Sequence, residues 1–101
     1  NLAYWGDIDA DGFFILNEVR KYAPAITSIM MDQAVLELYQ SQMVMENHTL
    51  APKELTLLTE QEYELYKSLN TGLFSGNRLE QEKIPLQYVQ TQLQQWICET
   101  Q

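Results

Sequence analysis

The chain has little cysteine, few basic residues and no long apolar run, and each shortage excludes a class of protein. With one cysteine in 101 residues, neither an internal disulfide framework nor a four-thiolate zinc site can form. Six Lys and Arg stand against fourteen Asp and Glu, for a net charge of −8, which argues against nucleic acid and anionic membrane surfaces as partners. The longest apolar run, residues 13–16, is far shorter than the roughly 18 residues of a membrane span.

The remaining composition is that of one globular domain. Hydrophobic residues make up 46% of the chain, which is ordinary for a domain with a single core and too high for a disordered segment. We therefore expect one domain over residues 1–101. The chain starts at Asn1 without an initiator Met or a visible signal peptide, so we expect it to be a module or fragment of a larger protein. Nothing in the sequence indicates a compartment or an oligomeric state.

The acidic residues are concentrated in one short stretch. Asp7, Asp9 and Asp11 occupy alternate positions, Gly12 follows directly, and Glu18 comes seven positions after Asp11. Like charges this close repel one another, so the folded loop would cost free energy unless a cation offset the repulsion. The sequence therefore predicts a bound cation at this segment.

This stretch resembles the EF-hand calcium loop, D-x-D-x-D-G-x5-E, over its full twelve residues. The resemblance implies an oxygen cage for calcium in which the backbone carbonyl of the seventh residue joins four carboxylates; the expected ligands are Asp7, Asp9, Asp11, Phe13 and Glu18. Ile15, at the ninth position, has no side-chain oxygen, so a water molecule would serve there. Magnesium is a weaker competitor for the same cage.

The sequence around the loop departs from the family pattern. Gly6 and Ala3 stand where an entering helix would carry aromatic residues, so that helix is expected to be short or absent. A minor resemblance to one dockerin repeat rests on the opening Gly-Asp, but no second repeat follows. Residues 71–82 have glycine at the sixth position and glutamate at the twelfth. This segment is either a degenerate, metal-free partner loop or an ordinary connection between helices.

Helical periodicity dominates the rest of the chain. We expect an exit helix through residues 19–22, a second helix from Pro24 to about Met45, a third helical region from near Pro52, and a last helix over residues 86–97. Thr59 and Glu62 form a capping-box pattern within the third region. The predicted fold class is all-α: a small domain of about four helices with the calcium loop at its N-terminal edge.

The remaining candidate functional residues are interpreted as incidental. His48 and Cys98 are the one thiol-and-base pair, but they lie in a polar loop and on an amphipathic helix, so we expect no enzymatic activity. Asn47 opens a glycosylation tripeptide of a kind that recurs by chance. The aromatic residues around the loop and the methionines are expected to lie in the core, and the alternative is that they form a calcium-dependent recognition patch. These residues are Tyr4, Trp5, Phe13, Phe14, Met30, Met31, Met43 and Met45.

The sequence thus predicts a calcium-binding module, structural or regulatory, within a larger protein. Its expected partners are calcium and a protein partner or host domains, with no nucleic acid. Two alternatives stay open: a metal-independent helical module for protein–protein interaction, and an accessory domain of an enzyme whose catalytic part lies outside this chain.

Overall fold

The computed structural model describes residues 2–46, 53–69, 71 and 73–99. Within these ranges the chain is about half helical, with four α-helices: α1 (Ala10–Arg20), α2 (Gln33–Leu38), α3 (Glu60–Ser68) and α4 (Leu86–Glu99). Two short 3-10 turns, Gln40–Gln42 and Gln81–Lys83, add to these. The predicted helix count is confirmed, while His48 and the Asn47 tripeptide lie outside the described residues. None of the described helices combines the length and hydropathy needed to cross a membrane.

The fold is not purely all-α. Strands β1 (Ala3–Tyr4) and β2 (Thr27–Ser28) pair in parallel, with Ala3 opposite Thr27 and Tyr4 opposite Ser28. Helix α1 connects them, so residues 3–28 form a β-α-β unit. Two-residue strands are too short to show the alternation of apolar and polar side chains that identifies a strand, which is why the sequence did not reveal them.

The predicted helix from Pro24 to Met45 is wrong for most of its length. Residues 27–28 pair with β1, and Met30 then adopts a left-handed backbone conformation with φ of 56°, which a right-handed helix cannot continue. Helix α2 begins only after Asp32, whose carboxylate accepts a hydrogen bond from the Val35 amide at 3.0 Å. Pairing with β1 therefore overrides the helical periodicity of this segment.

The two later helices follow the sequence more closely. Thr59 caps α3, and its side chain and that of Glu62 form the expected reciprocal capping box. Helix α3 begins at Glu60, and residues 53–59 before it are not helical. Pro52, where the third helical region was expected to begin, lies outside the described residues. Helix α4 begins at Leu86, directly after Pro85, and runs to Glu99.

One hydrophobic cluster holds these elements together. Its fully buried side chains come from the segment before α1, from α1 and α2, and from the chain after residue 74: Ile8, Phe13, Leu16, Val35, Leu36 and Leu79. Met30 and Met31 also lie in this core, 3% and 2% exposed, as expected. Phe14 is 37% exposed on the outer face of α1, so the aromatic residues near the acidic segment are divided between core and surface.

Candidate functional site: an arginine-centred acidic cluster

The acidic segment folds as a helix start, not as a calcium loop. Helix α1 begins at Ala10, so nine of the twelve positions of the proposed loop, from Ala10 to Glu18, are helical. Seven residues along an α-helix separate Asp11 from Glu18 by about 10 Å. The Phe13 carbonyl likewise belongs to the helical backbone, and an oxygen cage cannot close across it.

Asp9 has the role of helix cap. Its Oδ1 accepts a hydrogen bond from the Gly12 amide at 2.6 Å, which satisfies one of the free amides of the first turn. Glycine is required at position 12 because the backbone of Asp7 approaches it closely: a Cβ on Gly12 would lie 2.1 Å from the Asp7 carbonyl oxygen. The requirement for glycine thus lies in the first turn of the helix.

The cation that offsets the acidic charge is the guanidinium of Arg78. Its NH2 lies 3.1 Å from the Asp7 carboxylate and its Nε 3.4 Å from that of Asp9, while its NH1 pairs with Glu46. The Nε contact is an ion pair without hydrogen-bond geometry. We call these four side chains, Asp7, Asp9, Glu46 and Arg78, the Arg78 cluster.

Backbone pairing brings Arg78 to the acidic segment. Ile8 and Leu79 form an antiparallel bridge with two hydrogen bonds of 2.9 Å, and Val44 pairs with Arg78 in the same way. The Gln81 amide also donates to the Asp7 carboxylate at 2.7 Å. Within segment 71–82, Leu79 therefore pairs with the acidic stretch and Arg78 with Val44, and a degenerate EF-hand partner is not needed to explain these contacts.

The pKa values in the cluster reflect burial and neighbouring charge. Burial raises the pKa of Asp9, assisted by the charges of Asp7 and Asp11 and opposed by the Gly12 amide and Arg78. The hydrogen bond to Glu46, followed by the charges of the acidic neighbours, raises the pKa of Arg78 despite some burial. The guanidinium is thus a permanent cation in this fold.

Asp11 and Glu18 stand apart from this cluster. Asp11 is exposed in the first turn of α1, beside a cleft of about 340 Å³ that Asp7, Asp9 and Arg78 also line. Glu18 instead pairs with Lys21 at 2.8 Å on the exposed side of the helix. Among the described residues, no group of three or more His, Cys, Asp or Glu side chains is arranged to hold a metal ion.

Sequence reasoning missed both Arg78 and Glu46. Thirty-two positions separate these two residues, and seventy-one separate Arg78 from Asp7, so spacing along the chain carries no sign of the contact. One signal was available: an arginine stands in segment 71–82 where a paired loop would carry an apolar residue. This arginine, together with an acidic stretch that needs a cation, indicated that the two segments pair.

The structure therefore defines a helix-rich domain with a small β-α-β unit and an acidic edge whose charge is partly offset by an arginine of the same chain. The chain belongs to the family described as Wadjet protein JetD, C-terminal, whose model matches residues 1–93. No curated protein matches the chain at a significant level. The EF-hand interpretation is wrong, and with it the expected function of calcium binding: the family is a different one, and the predicted loop is a helix.

Proposed function

We propose that this chain is a C-terminal accessory module of a JetD-type protein and that it contacts other proteins of the Wadjet system. The observation that supports this most directly is the family match, which covers nearly the whole chain. The proposal is nearest to the second alternative left open by the sequence, an accessory domain of an enzyme whose catalytic part lies outside this chain. A module of this kind needs a stable fold and accessible surfaces more than a catalytic centre of its own.

The internal chemistry of the fold is consistent with such a role. Arg20 pairs with Glu62 and Arg78 pairs with the carboxylates of the acidic edge, so the chain supplies a cation of its own at both sites. Apolar side chains are exposed on α2, on α4 and after α3, where Leu38, Leu86 and Leu73 are 61%, 71% and 65% exposed. These positions offer contact points to neighbouring protein surfaces.

Assembly of the full-length protein tests the proposal. The full-length protein and a version lacking this chain are each mixed with the other proteins of the same Wadjet system, and complex mass is measured by light scattering after size exclusion. We expect the shortened version to lose or weaken the complex, with cross-links between this chain and a partner in the intact one. A complex of unchanged mass and stability, without such cross-links, would contradict the proposal. Circular dichroism checks that the rest of the shortened protein stays folded.

A second candidate function is supported by where the aspartates lie. Asp7 and Asp9 follow β1 and precede α1, and ligands of parallel β-α-β units bind at the carboxyl ends of the strands. Magnesium is commonly held by one or two carboxylates together with water and phosphate oxygens. We propose that this edge, with Asp11 at its rim, contributes part of a magnesium site whose other ligands come from outside this chain. Magnesium at this site would neutralise the charge of a phosphate-bearing ligand. Asp7 and Asp9 would then bind both the magnesium ion and the guanidinium of Arg78.

Calorimetric titration of the full-length protein with magnesium distinguishes this candidate. Asp11→Asn is the informative variant, because Asp11 is exposed and its loss leaves the Arg78 cluster in place. Glu18→Gln is the matched control, since Glu18 is a carboxylate on the same helix that pairs with Lys21. We expect about tenfold weaker binding in the first variant and no change in the second. Equal binding in both variants would eliminate the acidic edge as a magnesium ligand.

A further inference from the structure

A groove of about 860 Å³ lies on another part of the surface, between the start of α2 and the length of α3. The chain after β2 forms one wall through Ser28, Met31 and Asp32, and α3 forms the other from Glu60 to Ser68. The groove does not include any member of the Arg78 cluster. It is thus a separate feature, with a volume in the range of sites that receive several side chains.

The floor of the groove is apolar. Met31 and Leu65 come from the hydrophobic core and are 2% and 5% exposed. Leu73 stands at the margin and is 65% exposed, which is unusual for a leucine next to a concave surface. A ligand that covered Leu73 would remove apolar area from water, which favours binding.

The rim of the groove is acidic. Asp32, Glu60 and Glu64 are exposed on it, and no Lys or Arg is among the residues that line the groove. Glu62 lies deeper, and its carboxylate is already paired with Arg20. The three rim carboxylates therefore make a negative border around an apolar floor, with one salt bridge on it, from Glu64 to the exposed Lys67 at 3.2 Å.

We propose that this groove binds a basic amphipathic segment of a partner protein, with leucine-like side chains on the floor and Lys or Arg on the rim. The inference rests on the proposed role of the chain as a protein-contacting module. Charge complementarity selects the occupant, because a negative border attracts cationic side chains and repels phosphate backbones.

A second copy of the chain is a poor occupant. The chain carries six Lys and Arg, and four of these pair with carboxylates of their own fold: Arg20, Lys21, Lys67 and Arg78. Two copies with a net charge of −8 each would also repel. The complementary basic segment therefore comes from outside this chain, and we assign it to a partner protein.

The test measures binding of a fluorescent helical peptide with leucine on one face and lysine on the other to the full-length protein. A peptide in which glutamate replaces every lysine is the control ligand. We expect binding of the lysine peptide that weakens at high salt, and no binding of the glutamate peptide. Equal binding of both peptides, or none of the lysine peptide, would overturn the inference.

Matched variants locate the binding to the groove. Glu60→Gln with Glu64→Gln removes rim charges, and Glu18→Gln with Glu99→Gln removes the same charge elsewhere on the helices. Leu73→Ser removes the exposed leucine of the groove, and Leu86→Ser removes one of similar exposure outside it. We expect each groove variant to weaken binding about fivefold and each control to leave it unchanged. Equal losses in groove and control variants would show non-specific attraction and overturn the inference.

This experiment separates the inference from the proposed function. If the full-length protein assembles with its Wadjet partners while the groove variants assemble equally well, the groove is not the contact and the accessory role stands. If the peptide binds at the groove but no assembly depends on this chain, the accessory role fails and the groove's chemistry stands.

Discussion

The molecule contains two arginine–carboxylate sites that differ in depth and in purpose. At the first, Arg20 and Glu62 are both almost fully buried, with side-chain exposures of 7% and 8%. At the second, Arg78 is 32% exposed and faces three carboxylates. The buried arginine faces one carboxylate and is balanced in charge, whereas the more exposed arginine faces three carboxylates and leaves an excess of negative charge.

The buried site is saturated with hydrogen bonds. Arg20 donates to both oxygens of Glu62, to the Ile26 carbonyl at 3.1 and 3.2 Å, and to the Leu57 carbonyl at 3.0 Å. Ser28 donates to the same carboxylate, and the Thr59 amide does so at 2.8 Å. The pair thereby joins α1, β2 and the start of α3. A buried charge is tolerated only when it is satisfied in this way.

The largest effect is expected from Arg20→Ala. It leaves the Glu62 carboxylate buried without its cation and two backbone carbonyls without a donor, so the free energy of unfolding should fall by about 3–5 kcal/mol. Urea denaturation measures the loss. Arg20→Lys keeps the charge but not the forked geometry and should fall between the variant and the wild type. A loss below about 1 kcal/mol would show that the pair is not a structural centre.

A smaller effect is expected from Arg78→Ala. Three carboxylates lose their common cation, but solvent screens two of them, Asp7 and Glu46, so the expected loss is about 1–2 kcal/mol. Added salt should narrow the difference from wild type, which it should not do for Arg20→Ala. Lys83→Ala, which removes an exposed cation nearby in sequence, is the control. A salt-independent loss as large as that of Arg20→Ala would mean that the two sites do not differ as proposed.

Acidification should change the stabilising contributions of Glu62 and Asp9 in opposite directions. Burial alone would raise the pKa of Glu62, but hydrogen bonds from Arg20, Ser28 and Thr59 outweigh it and hold that pKa below the ordinary value. The stabilisation by Glu62 is therefore present above about pH 4.3 and is lost as the pH falls through the lowered pKa. The raised pKa of Asp9 has the reverse sign: its favourable contribution is present below about pH 3.9 and is lost as the pH rises through the raised pKa.

Two neutral isosteres measure this contrast. Unfolding free energies of wild type, Glu62→Gln and Asp9→Asn are compared between pH 7 and about pH 2, so that the series covers the range below the ordinary glutamate pKa. On acidification the advantage of wild type over Glu62→Gln should shrink, while wild type should gain relative to Asp9→Asn. Asn keeps the capping oxygen, so the second variant reports charge more than loss of the cap. Parallel trends in the two variants would contradict the assignment.

The smallest effect is expected from Glu18→Gln, because the exposed pair with Lys21 contributes about 0.5 kcal/mol or less. Glu64→Gln removes the equivalent exposed pair with Lys67, in the same spacing on α3, and should behave alike. Thermal unfolding with and without calcium measures both. A calcium-dependent rise in melting temperature that Glu18→Gln abolishes would contradict the conclusion that Glu18 pairs with Lys21 and does not bind calcium.

Local patterns predicted the later helices well and the acidic segment badly. Thr59 and Glu62 are three residues apart, so the capping box that starts α3 is readable from neighbours alone. The amphipathic pattern of α4 has the same local origin. The Asp7–Glu18 spacing is also local, but a ligand motif predicts a loop only if the backbone does not prefer another structure. Here Asp9 caps a helix, which competes with calcium ligation for the same carboxylate.

The sequence by itself determined the acidic edge, the need for a cation there, and the capped and amphipathic helices. Only the tertiary structure decided that the cation is Arg78, that residues 3–4 and 27–28 pair as strands, and that Glu62 meets Arg20 across forty-two positions. The physical reason is the range of the interactions. Helix caps act within a turn, whereas charge compensation and strand pairing join residues that meet only when the core has formed.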